Sequence, residues 1–176
     1  MTQQDDAVFD TPRLVVRPLR LDDAPRLQAV YEAVPDYFRV LHGVEGADAG
    51  TAAGELRQSA AQPGREAALI TLRDDTDAGA LGWWAGHPEP EVALLGMIVV
   101  LPGHRGQGIA REALAALEER LGSAGIKQLR TAVPYRRAAA VRDVIRAFGF
   151  AEMSIAEHTR LGVAGAGISL WSKAIG

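Results

Sequence analysis

The sequence predicts one α/β (α+β) domain, a mixed and mostly antiparallel sheet of about six to seven strands with helices on both faces. Three observations lead there. A chain of 176 residues with 48% hydrophobic and 23% charged residues is long enough for one core and short for two. Its apolar residues switch repeatedly between the period of a strand and the period of a helix. Some adjoining strands are close enough in sequence to form a hairpin, whereas another pair encloses a helix and must run parallel.

Residues 1–10 are acidic and polar and read as a mobile tail, which leaves 11–176 as the folded domain. Leu14, Val16, Leu19 and Leu21 mark a first strand. Asp22 and Asp23 then suit the start of a helix over 24–34, which Pro35 and Asp36 are expected to stop. A Gly-, Ala- and Asp-rich stretch leads to a second helix near 52–61, closed by Pro63 and Gly64. Residues 67–72 and 80–85 read as a hairpin around the charged turn 73–77. Trp83 and Trp84 are adjacent on its second strand and so face opposite sides.

After the break at His87-Pro88-Glu89-Pro90, residues 92–101 are the most continuously apolar in the chain. A strand covered on both faces reads this way, and it is placed at the centre. Ile109, Ala113, Leu114, Leu117 and Leu121 recur at helical spacing, with charged residues between them, up to the glycines 122 and 125. A strand at 129–133, a helix through Val141, Val144, Ile145 and Phe148, and an antiparallel pair at 150–155 and 168–174 complete the order.

Composition removes several functional classes. A formal net charge of -3, with Lys and Arg scattered, argues against binding to nucleic acid through phosphate contacts. With no Cys there is no thiolate nucleophile, no disulfide framework and no Cys-based zinc site, and no metal is expected. No apolar run reaches the roughly 18 residues of a membrane span, and the N-terminus lacks a secretory pattern, so a cytoplasmic location away from membranes is expected.

The segment Pro102-Gly103-His104-Arg105-Gly106-Gln107-Gly108-Ile109-Ala110 joins the most apolar strand to the clearest helix. A glycine-rich loop there leaves backbone N–H groups and the positive end of the helix dipole facing outward, which makes an anion site. No Gly-Lys-Ser/Thr is present, and the glycine spacing is not that of a dinucleotide fold.

This loop resembles the cofactor loop of the GNAT superfamily of N-acetyltransferases, whose Arg/Gln-x-x-Gly-x-Gly/Ala pattern is met by Arg105, Gly108 and Ala110, after Val100 and Pro102. Thr11-Pro12-Arg13-Leu14, Arg17-Pro18-Leu19, Asp22-Asp23 and Gly149-Phe150 are also similar to that family. The resemblance implies a GNAT-like fold that holds acetyl-coenzyme A as co-substrate. Arg105, Gly106, Gln107, Gly108, Ile109 and Ala110 would take the pyrophosphate, and Ile98, Val99 and Val100 the pantetheine arm. It also implies direct transfer to a primary amine of a small molecule or peptide, with the Val99 N–H as oxyanion donor, by a monomer or homodimer.

Three positions depart from the family pattern: Ala138 replaces a frequent Asn, Ile145 a frequent Tyr, and Leu94 a strand carboxylate. Glu91 and His87 are the nearest candidates for a proton acceptor, and Tyr135 for a proton donor. Tyr37 and Phe38 are expected to wall the acceptor cleft, with Trp84 or Trp83 opposite. Arg136, Arg137 and Arg142 read either as contacts for the adenosine phosphate or as a solvated face. The missing polar groups leave a second reading open, an acyl-coenzyme A binding module without turnover.

Overall fold

The computed structural model describes residues 9–176. Its strands are β1 (Phe9–Asp10), β2 (Leu14–Pro18), β3 (Arg65–Leu72), β4 (Asp77–Ala85), β5 (Val92–Val100), β6 (Gln128–Pro134), β7 (Ala151–Glu152) and β8 (Ile168–Ala174). Between them lie α1 (Ala24–Glu32), α2 (Pro35–His42), α3 (Thr51–Ala61), α4 (Ile109–Ser123), α5 (Ala138–Ala147) and α6 (Ile155–Arg160). One sheet of eight strands runs β1-β2-β3-β4-β5-β6-β8-β7, antiparallel throughout except at β5–β6. The strand beyond the expected six to seven is the two-residue β1 at the edge.

The expected mobile tail lies outside the described residues up to residue 8. Its last two residues pair with β2, and the Phe9 ring meets Trp83 edge-on at 6.0 Å. Two other expectations are corrected. Pro35 ends one helix and opens the next, because its fixed φ and missing N–H suit a first helical turn. The stretch 150–155 is a strand only at Ala151–Glu152, since Ser154 caps α6 and exchanges hydrogen bonds with Glu157. That Ser-x-x-Glu capping box was visible in the sequence.

Each face of the sheet carries its own core. Leu27, Val30 and Leu56 of α1 and α3 cover Leu69, Ala80 and Val99. On the other face, Ile109, Ala113, Leu117 and Leu121 form the predicted stripe of α4 against Ile70, Leu81, Leu129 and Trp171. Each such buried Leu or Ile contributes roughly 1.5–3 kcal/mol. The two tryptophans separate as expected, Trp83 at 2% exposure in the second core and Trp84 half-buried on the other side.

One departure from regularity positions the site. β5 and β6 pair only from Val92↔Gln128 to Leu95↔Thr131. Beyond that, β6 keeps its pairing with β8 and β5 its pairing with β4, so the sheet opens into a seam. A bulge begins the opening: Gly82 pairs with Met97 and Trp83 with Leu95, which leaves Gly96 as the extra residue. The Thr131 hydroxyl donates to the Leu95 carbonyl at 3.0 Å and satisfies it at the last paired position. β5 is therefore covered on both faces only in its first half. Gly96 is exposed, and Met97, Ile98 and Val100 are half-buried.

Candidate active site at the strand seam

Hydrogen-bond alternation decides which backbone groups face the seam. The Leu101 N–H donates to the Ala78 carbonyl at 2.8 Å, and Val99 stands opposite Ala80. In an antiparallel ladder the odd members, Val99 and Met97, then turn their N–H and C=O groups towards β4, and Ile98 and Val100 turn theirs into the seam. The Val99 carbonyl lies against Gly79 of β4, in agreement with this. The expected oxyanion donor at Val99 is corrected accordingly: its N–H belongs to the ladder, and the seam-facing donors are those of Ile98 and Val100.

Within the seam is an apolar cavity of about 140 Å3 between Leu95–Ile98 and Thr131–Val133, walled by Val141 and Ile145 of α5 and by Phe148 just after it. Tyr37 and Leu41 of α2 close one end. At the seam's mouth, Gly106 and Gly108 hold φ of 73° and 79°, a left-handed conformation that side chains other than Gly adopt at a cost. Gly108 is the N-cap of α4, so the N–H groups of Ile109, Ala110 and Arg111 have no intrahelical acceptor and point outward. Ile109 offers only its backbone, because its side chain is buried in the core beneath the helix. The loop is braced from below: Arg13 donates to the Gln107 carbonyl at 3.0 Å and to Glu112 at 2.6 Å. Thr11, with help from Arg13, holds the Glu112 carboxyl below its usual range.

Arg105 does something the sequence did not reveal. Its guanidinium grips both oxygens of Asp36 on α2, at 2.7 and 3.1 Å, and its Nε donates to the seam-facing Val100 carbonyl at 2.9 Å. The side chain ties the loop to α2 instead of projecting free charge, which leaves the loop's outward-facing polar groups to its backbone. Arg105 also holds the Asp36 carboxyl below the usual carboxylate range. A lowered folded value stabilises the protein above that range and ceases to do so as pH falls through it. Both partners are about half exposed, which limits the effect to below about 1 kcal/mol. Arg105→Gln is therefore expected to lower the melting temperature slightly at neutral pH, with the gap to wild type closing in acid. Thermal melts across pH check this, and a gap that widens in acid contradicts it.

A second cavity of about 450 Å3 opens on the α1–α3 side of β5, lined by Tyr31, Tyr37, Phe38, Trp84, Leu94 and Met97. Glu55 of α3 and Arg65 of β3 also line it. Tyr37, Gly96 and Met97 border both cavities, so the two meet at the bulge. Phe38 is buried, edge-on to Tyr31 and Tyr37 at 5.5 and 5.3 Å. Burial, reinforced by the Glu55 charge, pushes the Tyr37 phenol up to about 12, which keeps it a hydrogen-bond donor at neutral pH. Trp84 is held by its Nε1–H, which donates to the Pro63 carbonyl at 3.1 Å.

The candidate proton acceptors lie elsewhere. Glu91 is exposed, paired with Lys127 at 2.6 Å, and five residues before the bulge, roughly 16 Å along an extended strand. His87 stacks on Trp84 at 3.6 Å and lines neither cavity. Neither reaches the junction, because the strand entrance and the bulge are opposite ends of the paired segment. Tyr135 is 71% exposed and borders a third groove of about 870 Å3 with Arg136 and Arg137, which shares Leu41 with the seam cavity and His42 with the aromatic one. Arg142 is exposed on α5. Sequence reasoning missed Gly96, Met97 and Glu55. The only signal for Glu55 was its place as the sole acidic residue of α3.

The strand that leaves its partner at a bulge thus leads through one short loop into a glycine-capped helix. The Acetyltransferase (GNAT) family model matches residues 27–150, and the chain belongs to this family of acetyl-coenzyme A-dependent transferases. No curated protein matches it significantly in sequence. Among solved structures, an acetyltransferase from Thermus thermophilus is 26% identical with a TM-score of 0.74, over 92% of this chain and 97% of that one. An acetyltransferase from Salmonella typhimurium that modifies the N-terminal serine of ribosomal protein L7/L12 is 17% identical, TM-score 0.73, over 97% and 100%. The ribosomal L7/L12 alpha-N-protein acetyltransferase RimL in complex with coenzyme A is 15% identical, TM-score 0.71, over 96% and 98%. The last two likenesses concern the fold. Among the described residues no helix is long and apolar enough to cross a membrane.

Proposed function

We propose that the chain transfers an acetyl group from acetyl-coenzyme A to a primary amine of a small molecule or peptide end, by direct attack with both substrates bound. The observation that carries this reading is the junction at Gly96 and Met97, where the seam cavity and the aromatic cavity meet. The chain's own groups fit the cofactor. An added Cβ at Gly106 would find no atom within 4 Å, so a phosphate has open access to the loop backbone. Gln107, Gly108, Ile109 and Ala110 supply N–H groups at the positive end of α4. Ile98 offers its strand edge, and Val100 its N–H beside the carbonyl that Arg105 engages, to the amides of a pantetheine arm, in the manner of an added strand.

Acetyl-coenzyme A supplies the acetyl group already activated as a thioester, so no protein nucleophile is needed, in keeping with a chain that has no Cys. Ile98, the seam-facing residue nearer the bulge, is the oxyanion donor in this reading, and one such donor is worth about a hundredfold or more in rate. Phe38 stiffens the acceptor wall, and Trp84 lines it from β4.

The test is calorimetric titration with acetyl-coenzyme A, followed by a thiol-release assay over a panel of amines. All colour must come from coenzyme A, because the protein has no thiol. Binding with turnover supports the proposal, and absence of binding sinks it. Binding without turnover on any amine favours instead the non-catalytic module, the reading to which Leu94, Ala138 and Ile145 lend weight.

A further inference from the structure

Resting on that reading, we propose that Glu55 is the carboxylate that receives the acceptor's ammonium group, and that the acceptors are amines carried on an apolar or aromatic body. An alkylamine arrives at neutral pH as an ammonium ion, so its cavity needs a negative charge and an acceptor for one proton. The β5 residues that line this cavity are Leu94, Gly96 and Met97, and none of their side chains can supply either. Two carboxylates border the space, Asp48 and Glu55. Asp48 is exposed on the loop before α3, whereas Glu55 is half-buried and enters from a helix that Ala52 and Leu56 anchor to the core.

Glu55 is held but not saturated. Both of its oxygens accept from one Arg65 nitrogen, at 3.1 and 3.2 Å. Each carboxylate oxygen has two lone pairs, so one on each remains for a ligand. Arg65 is itself fixed, donating to Gln62 at 2.9 Å, with its guanidinium 5.7 Å from the Trp84 ring centroid. The other charged or titratable groups on this cavity are Tyr31 of α1, Tyr37 and His42 of α2, and Asp48. The Glu55 charge contributes to the raised values of Tyr31 and Tyr37, as expected of groups that share one poorly solvated space. The same cavity is lined by Tyr31, Tyr37, Phe38, Trp84 and Met97, aromatic side chains and a thioether that suit both a cation and an apolar body.

The chemistry balances. The bound ammonium gives one proton to Glu55, and the freed nitrogen lone pair forms the C–N bond as the thioester C–S bond breaks. The nitrogen's second proton ends on the departing sulfur. Glu55 returns the first to solvent, so ammonium and thioester become amide, thiol and one free proton.

Glu55→Gln keeps the shape and removes the charge. With 2-phenylethylamine as acceptor, its KM is expected to rise at least about tenfold while acetyl-coenzyme A affinity stays at the wild-type value, a control for folding. In the variant the amine must arrive neutral, so kcat/KM climbs about tenfold per pH unit between about pH 6 and 8, where the wild type is nearly flat. A merely structural role moves no such slope. Glu45→Gln, an exposed carboxylate that lines neither cavity, leaves both parameters unchanged. Glucosamine, polar all round, is expected to be the poorer acceptor for the wild type. Unchanged KM and pH slope in Glu55→Gln overturn the role of Glu55, and a preference for glucosamine overturns the substrate class. A wild type that turns over no amine overturns the functional reading as well, which separates the two failures.

Discussion

Gly108→Glu is expected to weaken acetyl-coenzyme A binding by about a hundredfold or more, equivalent to roughly 2.7 kcal/mol. Two effects act together. The left-handed φ of 79° costs any L side chain roughly 1–2 kcal/mol and shifts the loop that carries the N–H groups. The new carboxylate also sits at the N-terminus of α4, where it competes for the same N–H groups and repels phosphate. Gly108→Ala separates the two. Its Cβ meets only the Arg13 guanidinium, at an ordinary 3.5 Å, so it introduces strain without charge, and binding should fall only severalfold. Calorimetric titration of both variants measures the difference. Equal affinities for the Glu variant and the wild type would remove the loop from the cofactor site.

Gly96→Leu is expected to reduce turnover by about a hundredfold while leaving the fold intact, because a misplacement of about an ångström at a reacting centre already has effects of that size. Its backbone is not left-handed, and an added Cβ finds only the Gly82 carbonyl, at 3.8 Å. The position is exposed, so little of the core is disturbed. The added side chain does, however, stand where the two cavities meet. Thiol release at saturating acetyl-coenzyme A, beside a thermal melt, is the measurement. A variant that melts like the wild type and retains most of its rate would show that transfer occurs away from the bulge.

The two predictions differ in how far the sequence anticipated them. The loop at 102–110 was legible because its conformation depends on neighbours within one stretch: glycines that permit an unusual φ, followed by an amphipathic helix whose first N–H groups have no intrahelical acceptor. The position of the bulge was not legible. Gly96 lies inside an apolar run, and its meaning comes from the register with β4 and the departure of β6 after Thr131. By composition alone Met97, Ile98 and Val100 read as core, because an apolar cleft and a buried face draw on the same residues, and only the family resemblance set Ile98, Val99 and Val100 against the pantetheine arm. Arg105 matched its motif yet forms an ion pair with Asp36, 69 positions away. Glu91 and His87 were near the apolar strand in sequence but at the wrong end of it.

By itself, then, the sequence determined the family, nearly every strand and helix, and the glycine loop that caps α4. Those properties are written in periodicity, capping and φ preference, which act over a few residues. Only the tertiary structure decided that Ile98 and Val100, and not Val99, face the seam, that two cavities meet at Gly96, and that Glu55 and Arg65 line the aromatic one. A strand turns each N–H to one side or the other according to its register, and register is set by packing between residues far apart in the chain.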